Sequence, residues 1–258
     1  MFVLFTDSYG LPILLKHIDK KLITGVVLSS IRSADNEKVN NEYSKEHTIL
    51  IQPKFKDKIA YKKFLLKLKQ KKAEILLCCS YSLIIREDVR KMFNNHCYNI
   101  HGALLPQNRG VNPIQWAIIK GEREAGVTLH KIEEGIDSGP IVAQRHFRIN
   151  KTDTWVTLFE KLTQETHLLL RENLPKLILG DIKPKRQDEA NATVNHRLNE
   201  DSPFIDFKTM TNHQIYNLIR AQVHPLKGAY IIDQNQKTHF NHIMSIQEIQ
   251  NLRRKYED

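Results

Sequence analysis

Up to about residue 180, short apolar runs alternate with polar, turn-prone stretches. Met1 to Phe5 is apolar and β-prone, and after Thr6-Asp7-Ser8-Tyr9-Gly10 the segment Leu11 to Ile18 carries apolar residues at helical spacing. Leu22 to Ser29 reads as a second strand, Ser33 to His47 as a polar surface loop with at most a short helix, and Ile49 to Ile51 as a third strand. The lysine-rich stretch Lys54 to Lys72, interleaved with Phe64, Leu65, Leu66 and Leu68, predicts an amphipathic helix whose lysines face solvent. Ala73 to Cys79 is a buried strand, Arg86 to Phe93 a short helix, and Cys97 to Ile100 another strand. Asn112 to Ile119, with Pro113 in its first turn and Gly121 beyond its end, is a helix. Gly126 to Lys131 and Pro140 to Ile149 alternate apolar and polar residues as two strands, and Thr154 to Leu179 is the clearest long helix.

This order predicts an α/β fold, a Rossmann-like, mostly parallel sheet with helices on both faces. Past Gly180 the chain turns polar and irregular, so we place a boundary there: residues 1–190 as the main domain and 191–258 as a small C-terminal α+β extension. That extension is expected to hold a short strand at Phe204 to Phe207, a helix over Asn212 to Gln222, and a β-hairpin over Ala229 to Phe240 turning at Asp233 to Asn235.

Composition narrows the function classes only a little. Thirty-nine Lys and Arg against 29 Asp and Glu give a net charge of +10, which favours anionic ligands without choosing among them. No apolar run reaches membrane-spanning length and the start lacks a basic signal-peptide region, so the expected location is cytoplasmic, with no membrane partner. Cys78, Cys79 and Cys97 read as reduced, mostly buried thiols, and no metal is expected, because His239 and His242 lack a convincingly spaced carboxylate or Cys. Asn191-Ala192-Thr193 is a chance glycosylation match, and neither a dinucleotide fingerprint nor a P-loop is present.

The chemistry-bearing stretch is Asn99-Ile100-His101-Gly102-Ala103-Leu104-Leu105-Pro106-Gln107-Asn108-Arg109-Gly110. In an extended segment residues i and i+2 project to one side, so Asn99 and His101 can address one small group, as donor and as proton acceptor. The Gly-punctuated loop Glu133 to Pro140 offers Asp137, a carboxylate able to orient that histidine. Trp116 reads as core rather than ligand platform, while Arg109 is equally suited to gripping an acceptor phosphate or tying down its own loop.

Together with Pro113-Ile114-Gln115-Trp116-Ala117 and Gly135-Ile136-Asp137-Ser138-Gly139-Pro140, that stretch resembles the folate-dependent formyltransferases. This family includes methionyl-tRNA formyltransferases, glycinamide ribonucleotide transformylases and nucleotide-sugar N-formyltransferases. The resemblance implies the formyltransferase fold, 10-formyltetrahydrofolate as formyl donor, and Asn99, His101 and Asp137 as the catalytic set. It further implies a pterin held by backbone groups near Leu83, Ile84 and Ile85, with Asp137 alongside, and an acceptor bound near Gly102, Ala103, Asn108 and Arg109. Two positions depart from the family pattern: Ala103, where Ser is usual, and Asn108, where an aromatic is common. Gly102 and Ile215-Tyr216-Asn217-Leu218-Ile219-Arg220-Ala221 look most like sugar-modifying members, implying a nucleotide-linked amino sugar as acceptor, specifically a dTDP-4-amino-4,6-dideoxyhexose for O-antigen or another surface glycan. The chain is then expected to form a homodimer and not to bind nucleic acid. The alternatives are a compact methionyl-tRNA formyltransferase and a non-catalytic folate- or nucleotide-binding module.

Overall fold

A computed structural model describes residues 1–199 and 201–256. In chain order the elements are β1 (Phe2–Thr6), α1 (Gly10–Leu15), β2 (Ile23–Ser29), α2 (Ser33–Tyr43), β3 (Ile49–Gln52), α3 (Lys58–Lys69), β4 (Ile75–Cys79), α4 (Glu87–Met92) and β5 (Cys97–His101). Then follow β6 (Arg109–Gly110), α5 (Pro113–Ile119), β7 (Glu124–Lys131), β8 (Ile141–Arg148), α6 (Trp155–Leu179), β9 (Val194–Asn195), α7 (Asn212–Arg220), β10 (Ala229–Asp233), β11 (Gln236–Phe240) and α8 (Ile246–Tyr256). They form two compact units, neither a continuous stretch of chain: residues 1–101, 127–145 and 166–187 make the first, and 102–126, 146–165 and 188–258 the second.

The first unit is organised by a seven-stranded sheet in the order β3-β2-β1-β4-β5-β7-β8. Strands β1 to β5 pair in parallel, and β7 runs antiparallel to β5. Every residue of β1 (FVLFT) and β4 (ILLCC) is buried, the continuous apolar run required of strands covered on both faces. Tyr61, Phe64 and Leu68 of α3 are buried with Phe5, Leu76 and Val89, while the helix's lysines stay in solvent. Asp57 caps α3 by accepting a hydrogen bond from the Ala60 amide at 3.0 Å. The three cysteines are buried free thiols; burial pushes Cys79 and Cys97 up to about 12 and Cys78 well above the ordinary thiol range.

Buried Asp7 ties the carboxyl ends of the strands together. Its carboxylate accepts from the Tyr9 and Gly10 amides, both at 3.0 Å, from Ser80 Oγ at 2.8 Å, and from Arg32. Gly10 is required by close approach, since a Cβ there would lie 2.4 Å from the Cys79 carbonyl oxygen. On β3, buried Gln52 accepts from the Tyr81 hydroxyl at 2.9 Å and donates to the Ile84 carbonyl at 3.4 Å.

In the second unit, α5, the start of α6 and the end of α7 pack Ile114, Ala117, Ile118, Leu158 and Ala221 into one cluster with Ile149. A second cluster joins Ile205, Phe207, Ile215, Leu218, Ile219, Ile231 and Ile249. β6 and β9 form a short parallel pair, and β10 and β11 an antiparallel hairpin turning at Gln234 and Asn235, both left-handed in φ.

Four expectations change. Ser33 to Tyr43 is an eleven-residue helix whose single buried side chain is Val39, so no apolar stripe announced it. It is held instead by long-range ties: Asp35 accepts from Ser8 Oγ at 2.8 Å, and Asn36 donates to the Ser29 carbonyl at 2.8 Å. Phe204 to Phe207 contributes only one bridge, Phe204 with Tyr230, because Asp206 turns the chain by accepting from the Lys208 amide and Thr209 Oγ1. Residues 181–193, read as irregular, lead into β9, which pairs with β6. Helix α8 was not anticipated, although Ser245 and Glu248 form a reciprocal cap at its start.

His17, just past α1, and His167 on α6 stand with Nε2 and Nδ1 2.9 Å apart, a distance at which one hydrogen serves both rings. Burial, then His167, Arg171 and Lys16, hold His17 below the ordinary imidazole value, and burial followed by Lys16 lowers His167. The unfolded chain therefore takes up protons near pH ~6.5 before the folded one does, so stability is full above that pH and is lost as pH falls through the folded values. Thermal melts followed by circular dichroism should show Tm falling between about pH 7.5 and about pH 5, with a flatter profile for His167→Leu.

Candidate active site

The register between β5 and β7 builds the site. Asn99 pairs with His130 and His101 with Thr128, so the i, i+2 alternation of each strand puts all four side chains on one face of the sheet. Asp137 comes to them on the loop between β7 and β8. Its Oδ1 accepts from Asn99 Nδ2 at 3.3 Å and lies 3.5 Å from His130 Nε2, while its Oδ2 lies 3.4 Å from His101 Nδ1. Asn99 Nδ2 is also 3.1 Å from His130 Nε2, and His130 Nδ1 is 2.8 Å from the Lys131 carbonyl oxygen. His101 and His130 are buried, and Asp137 keeps a small accessible edge.

The loop bearing Asp137 is tightly constrained. Asp137 itself adopts φ +47°, a conformation that Asp tolerates better than most residues but that still costs about 1 kcal/mol. Gly139 runs so close to β7 that a Cβ would lie 1.9 Å from the Lys131 carbonyl oxygen. Buried Gln187 donates from Nε2 to the carbonyls of Asp137 and Gly139, both at 2.7 Å, bracing the loop from the end of the first unit. Ser138 Oγ donates to the Glu134 carbonyl at 2.8 Å, and Arg186 pairs with Glu133 at 2.7 Å.

Asn99, His101 and Asp137 are thus brought together. Leu83, Ile84 and Ile85 follow β4 on a loop whose carbonyls are held, Ile84 by Gln52 and Ile85 by Arg90 at 2.9 Å; Ile84 is 75% exposed and presents an apolar surface there, whereas Ile85 is buried. The four remaining predicted residues belong to the second unit. Gly102, Ala103 and Asn108 line a cleft of about 660 Å³ with Leu104, Pro113 and Arg148. Asn108 is buried and fully engaged: its amide nitrogen donates to both carboxylate oxygens of Glu122 at 2.9 and 3.0 Å, and its oxygen accepts from Lys120 Nζ at 2.7 Å and Asn195 Nδ2 at 3.1 Å. Arg109 makes a two-point pair with Glu189 at 2.8 and 2.9 Å, so in the structure it ties its own loop. Trp116, half-buried, donates to the His196 carbonyl at 2.9 Å.

Sequence reasoning missed His130 and Gln187. His130 stood in a recognised strand, but only the strand register reveals that it faces Asn99; Gln187 lay in a stretch without periodicity. Among the described residues no group of three or more His, Cys, Asp and Glu side chains is arranged to hold a metal ion, and no helix is long and apolar enough to cross a membrane.

Residues 14–174 match the family described as Formyl transferase. A methionyl-tRNA formyltransferase from Kosmotoga olearia is 39% identical over 155 residues, covering 60% of this chain and 49% of that protein; the chain spans about half that relative's length. Among solved structures, a 4-N formyltransferase from Francisella tularensis superposes with a TM-score of 0.75 at 19% identity, over 95% of this chain and 97% of that one. An N-formyltransferase from Helicobacter canadensis, solved with folinic acid and dTDP-3-aminofucose, gives 0.65 at 20% identity, over 92% and 84%. At these identities the two structures share the fold with this chain.

The crowding at Gly139 yields a test. Gly139→Ala should displace the loop, lowering stability by about 1–3 kcal/mol in urea denaturation and exposing residues 133–140 to limited proteolysis. Unchanged stability and protection would mean that the loop tolerates the methyl group.

Proposed function

The chain belongs to the formyl transferase family, and on that premise we propose that it moves a formyl group from 10-formyltetrahydrofolate to the amine of a nucleotide-linked amino sugar. The observation that carries the chemistry is the convergence of Asn99, His101 and Asp137 within 3.3 to 3.4 Å. An amide donor, an imidazole and a carboxylate are the groups that acyl transfer to nitrogen needs. The folate would supply the formyl group, and the loop Leu83 to Ile85 offers exposed Ile84 to the face of a flat ring and backbone groups to its polar edge.

In this reading a Nδ1–H of His101 faces Asp137, which makes Nε2 the basic nitrogen. As the amine forms its bond to the formyl carbon, the carbonyl electron pair moves onto oxygen, and Asn99 donates an amide hydrogen to that oxyanion. His101 takes the proton lost by the amine. The oxyanion's electron pair then re-forms the carbonyl, the carbon–nitrogen bond to the donor breaks, and the proton held by His101 is relayed through Asp137 to the leaving nitrogen.

A dTDP-4-amino-4,6-dideoxyhexose is the acceptor we propose, for O-antigen or a similar surface glycan, with the enzyme working in the cytoplasm as a homodimer. The likeness to the Helicobacter N-formyltransferase solved with dTDP-3-aminofucose, which runs across 92% of this chain, supports a sugar acceptor. Gly102, Ala103 and Asn108 on the cleft of the second unit are the proposed acceptor contacts. The 39% identity to a methionyl-tRNA formyltransferase and the charge of +10 favour a second reading, transfer to Met-tRNA.

Incubating the protein with 10-formyltetrahydrofolate and either a dTDP-amino sugar or Met-tRNA, while following free tetrahydrofolate, separates the two. Turnover with the sugar alone is the expected outcome; turnover with Met-tRNA that weakens steeply with salt would select the second reading. Asn99→Ala and His101→Ala should fold and lose roughly 100- to 1,000-fold in kcat. Near wild-type turnover by either variant would remove these residues from the mechanism.

A further inference from the structure

We propose that His130 is a positioning residue that fixes which way the Asn99 side-chain amide faces; its effect on turnover rests on the formyl-transfer reading, whereas the orientation itself rests on geometry alone. His130 Nδ1 lies 2.8 Å from the Lys131 carbonyl oxygen, an atom that can only accept. Nδ1 therefore carries a ring hydrogen, and with one hydrogen on the ring Nε2 presents a lone pair; a second hydrogen, on Nε2, would be directed instead at Asp137 Oδ1, 3.5 Å away. Asn99 stands 3.1 Å from that lone pair and must turn its NH2 group toward it.

An asparagine amide is nearly symmetrical in shape but opposite in polarity at its two ends, so the orientation decides the chemistry. Reversed, the amide would aim its oxygen at the Nε2 lone pair and at Asp137 Oδ1, two acceptors, and would offer an oxyanion no donor. In the orientation His130 imposes, one amide hydrogen is committed to Nε2. The other points to Asp137 Oδ1 at 3.3 Å, a long contact from which it can turn to a developing oxyanion. Strand pairing holds the arrangement, because Asn99 and His130 face each other across β5 and β7, and His130 is only 2% exposed, which keeps water from substituting for the ring.

The test compares His130→Phe, which removes the acceptor, with His130→Gln, whose side-chain oxygen reaches the place of Nε2, using 10-formyltetrahydrofolate with a dTDP-4-amino-4,6-dideoxyhexose and with Met-tRNA. His130→Phe should lose roughly 10- to 100-fold in kcat, less than removal of the donor itself, with little change in KM for the folate. His130→Gln should recover most of the loss, and adding His130→Phe to Asn99→Ala should cost nothing further, since a residue acting through Asn99 has nothing left to act on. Wild-type kcat in His130→Phe, or a full additional loss in the double variant, would overturn the inference while leaving formyl transfer intact. Nitrogen-15 NMR of the histidine rings in the wild-type protein checks the geometry without turnover: a hydrogen on Nδ1 of His130 and none on Nε2 is expected, and a hydrogen on Nε2, in either the other tautomer or the doubly protonated ring, would refute it even if the variants fail to fold. If the wild-type protein transfers formyl to neither amine, the functional reading fails and the tautomer still decides the orientation.

Discussion

The site depends on one strand pairing, the antiparallel register of β5 against β7. Asn99 opposite His130 and His101 opposite Thr128 is the arrangement that gathers an amide and two imidazoles on one face. A slip of a single residue would send each of β7's side chains to the other face of the sheet. The register is held where it matters, because the Ile132 amide donates to the Cys97 carbonyl at 2.8 Å and the Lys131 amide to the Pro140 carbonyl at 2.9 Å. The second of these bonds also returns the chain so that Asp137 meets the strand pair. One backbone alignment thus sets two histidines, an asparagine and an aspartate to within hydrogen-bonding range.

Much of this was legible in the sequence. Strands β1 and β4 showed themselves as unbroken apolar runs, α3 and α6 as long periodic segments, and the hairpin as a turn at Asp233 to Asn235 between β-prone stretches. Asn99, His101 and Asp137 were found because their spacing and their family pattern point the same way. Less visible were features whose cause lies elsewhere in the chain. α2 is a helix without an apolar stripe, held by Ser8, Ser29 and Arg32. His130 acquires its meaning only from the strand opposite, and Gln187 only from the two loop carbonyls it bridges. Local pattern reports what a residue packs against on its own element, and cross-strand and loop-to-loop bonds fall outside it.

Two polar side chains of the first unit, Asp7 and Gln52, are buried in company. Asp7, 3% exposed, satisfies its carboxylate with two backbone amides, a serine hydroxyl and Arg32. Gln52 uses both ends of its amide, toward Tyr81 and Ile84. Such groups stabilise only while every partner is present, since an unpaired buried donor or acceptor costs about 1–3 kcal/mol. Together with the packing of Tyr81 and Ile85 against the core, they give the loops at the carboxyl ends of β1, β3 and β4 fixed geometry, and those loops include the stretch proposed to cradle the pterin.

The second unit applies the same rule with a different consequence. Asn108 donates to Glu122 and accepts from Lys120 and Asn195, and Lys120 also donates to Asn195 at 2.8 Å. An aspartate there would set its charge against Glu122, and a leucine would leave buried Asn195 without this partner and take one from Lys120 and one from Glu122. Positions 108, 120, 122 and 195 are therefore joined: an aromatic ring at 108 would release all three partners at once, and Asn195, the one that is buried, would be left needing another. What looked like a single departure from the family pattern is one corner of a four-residue hydrogen-bond network.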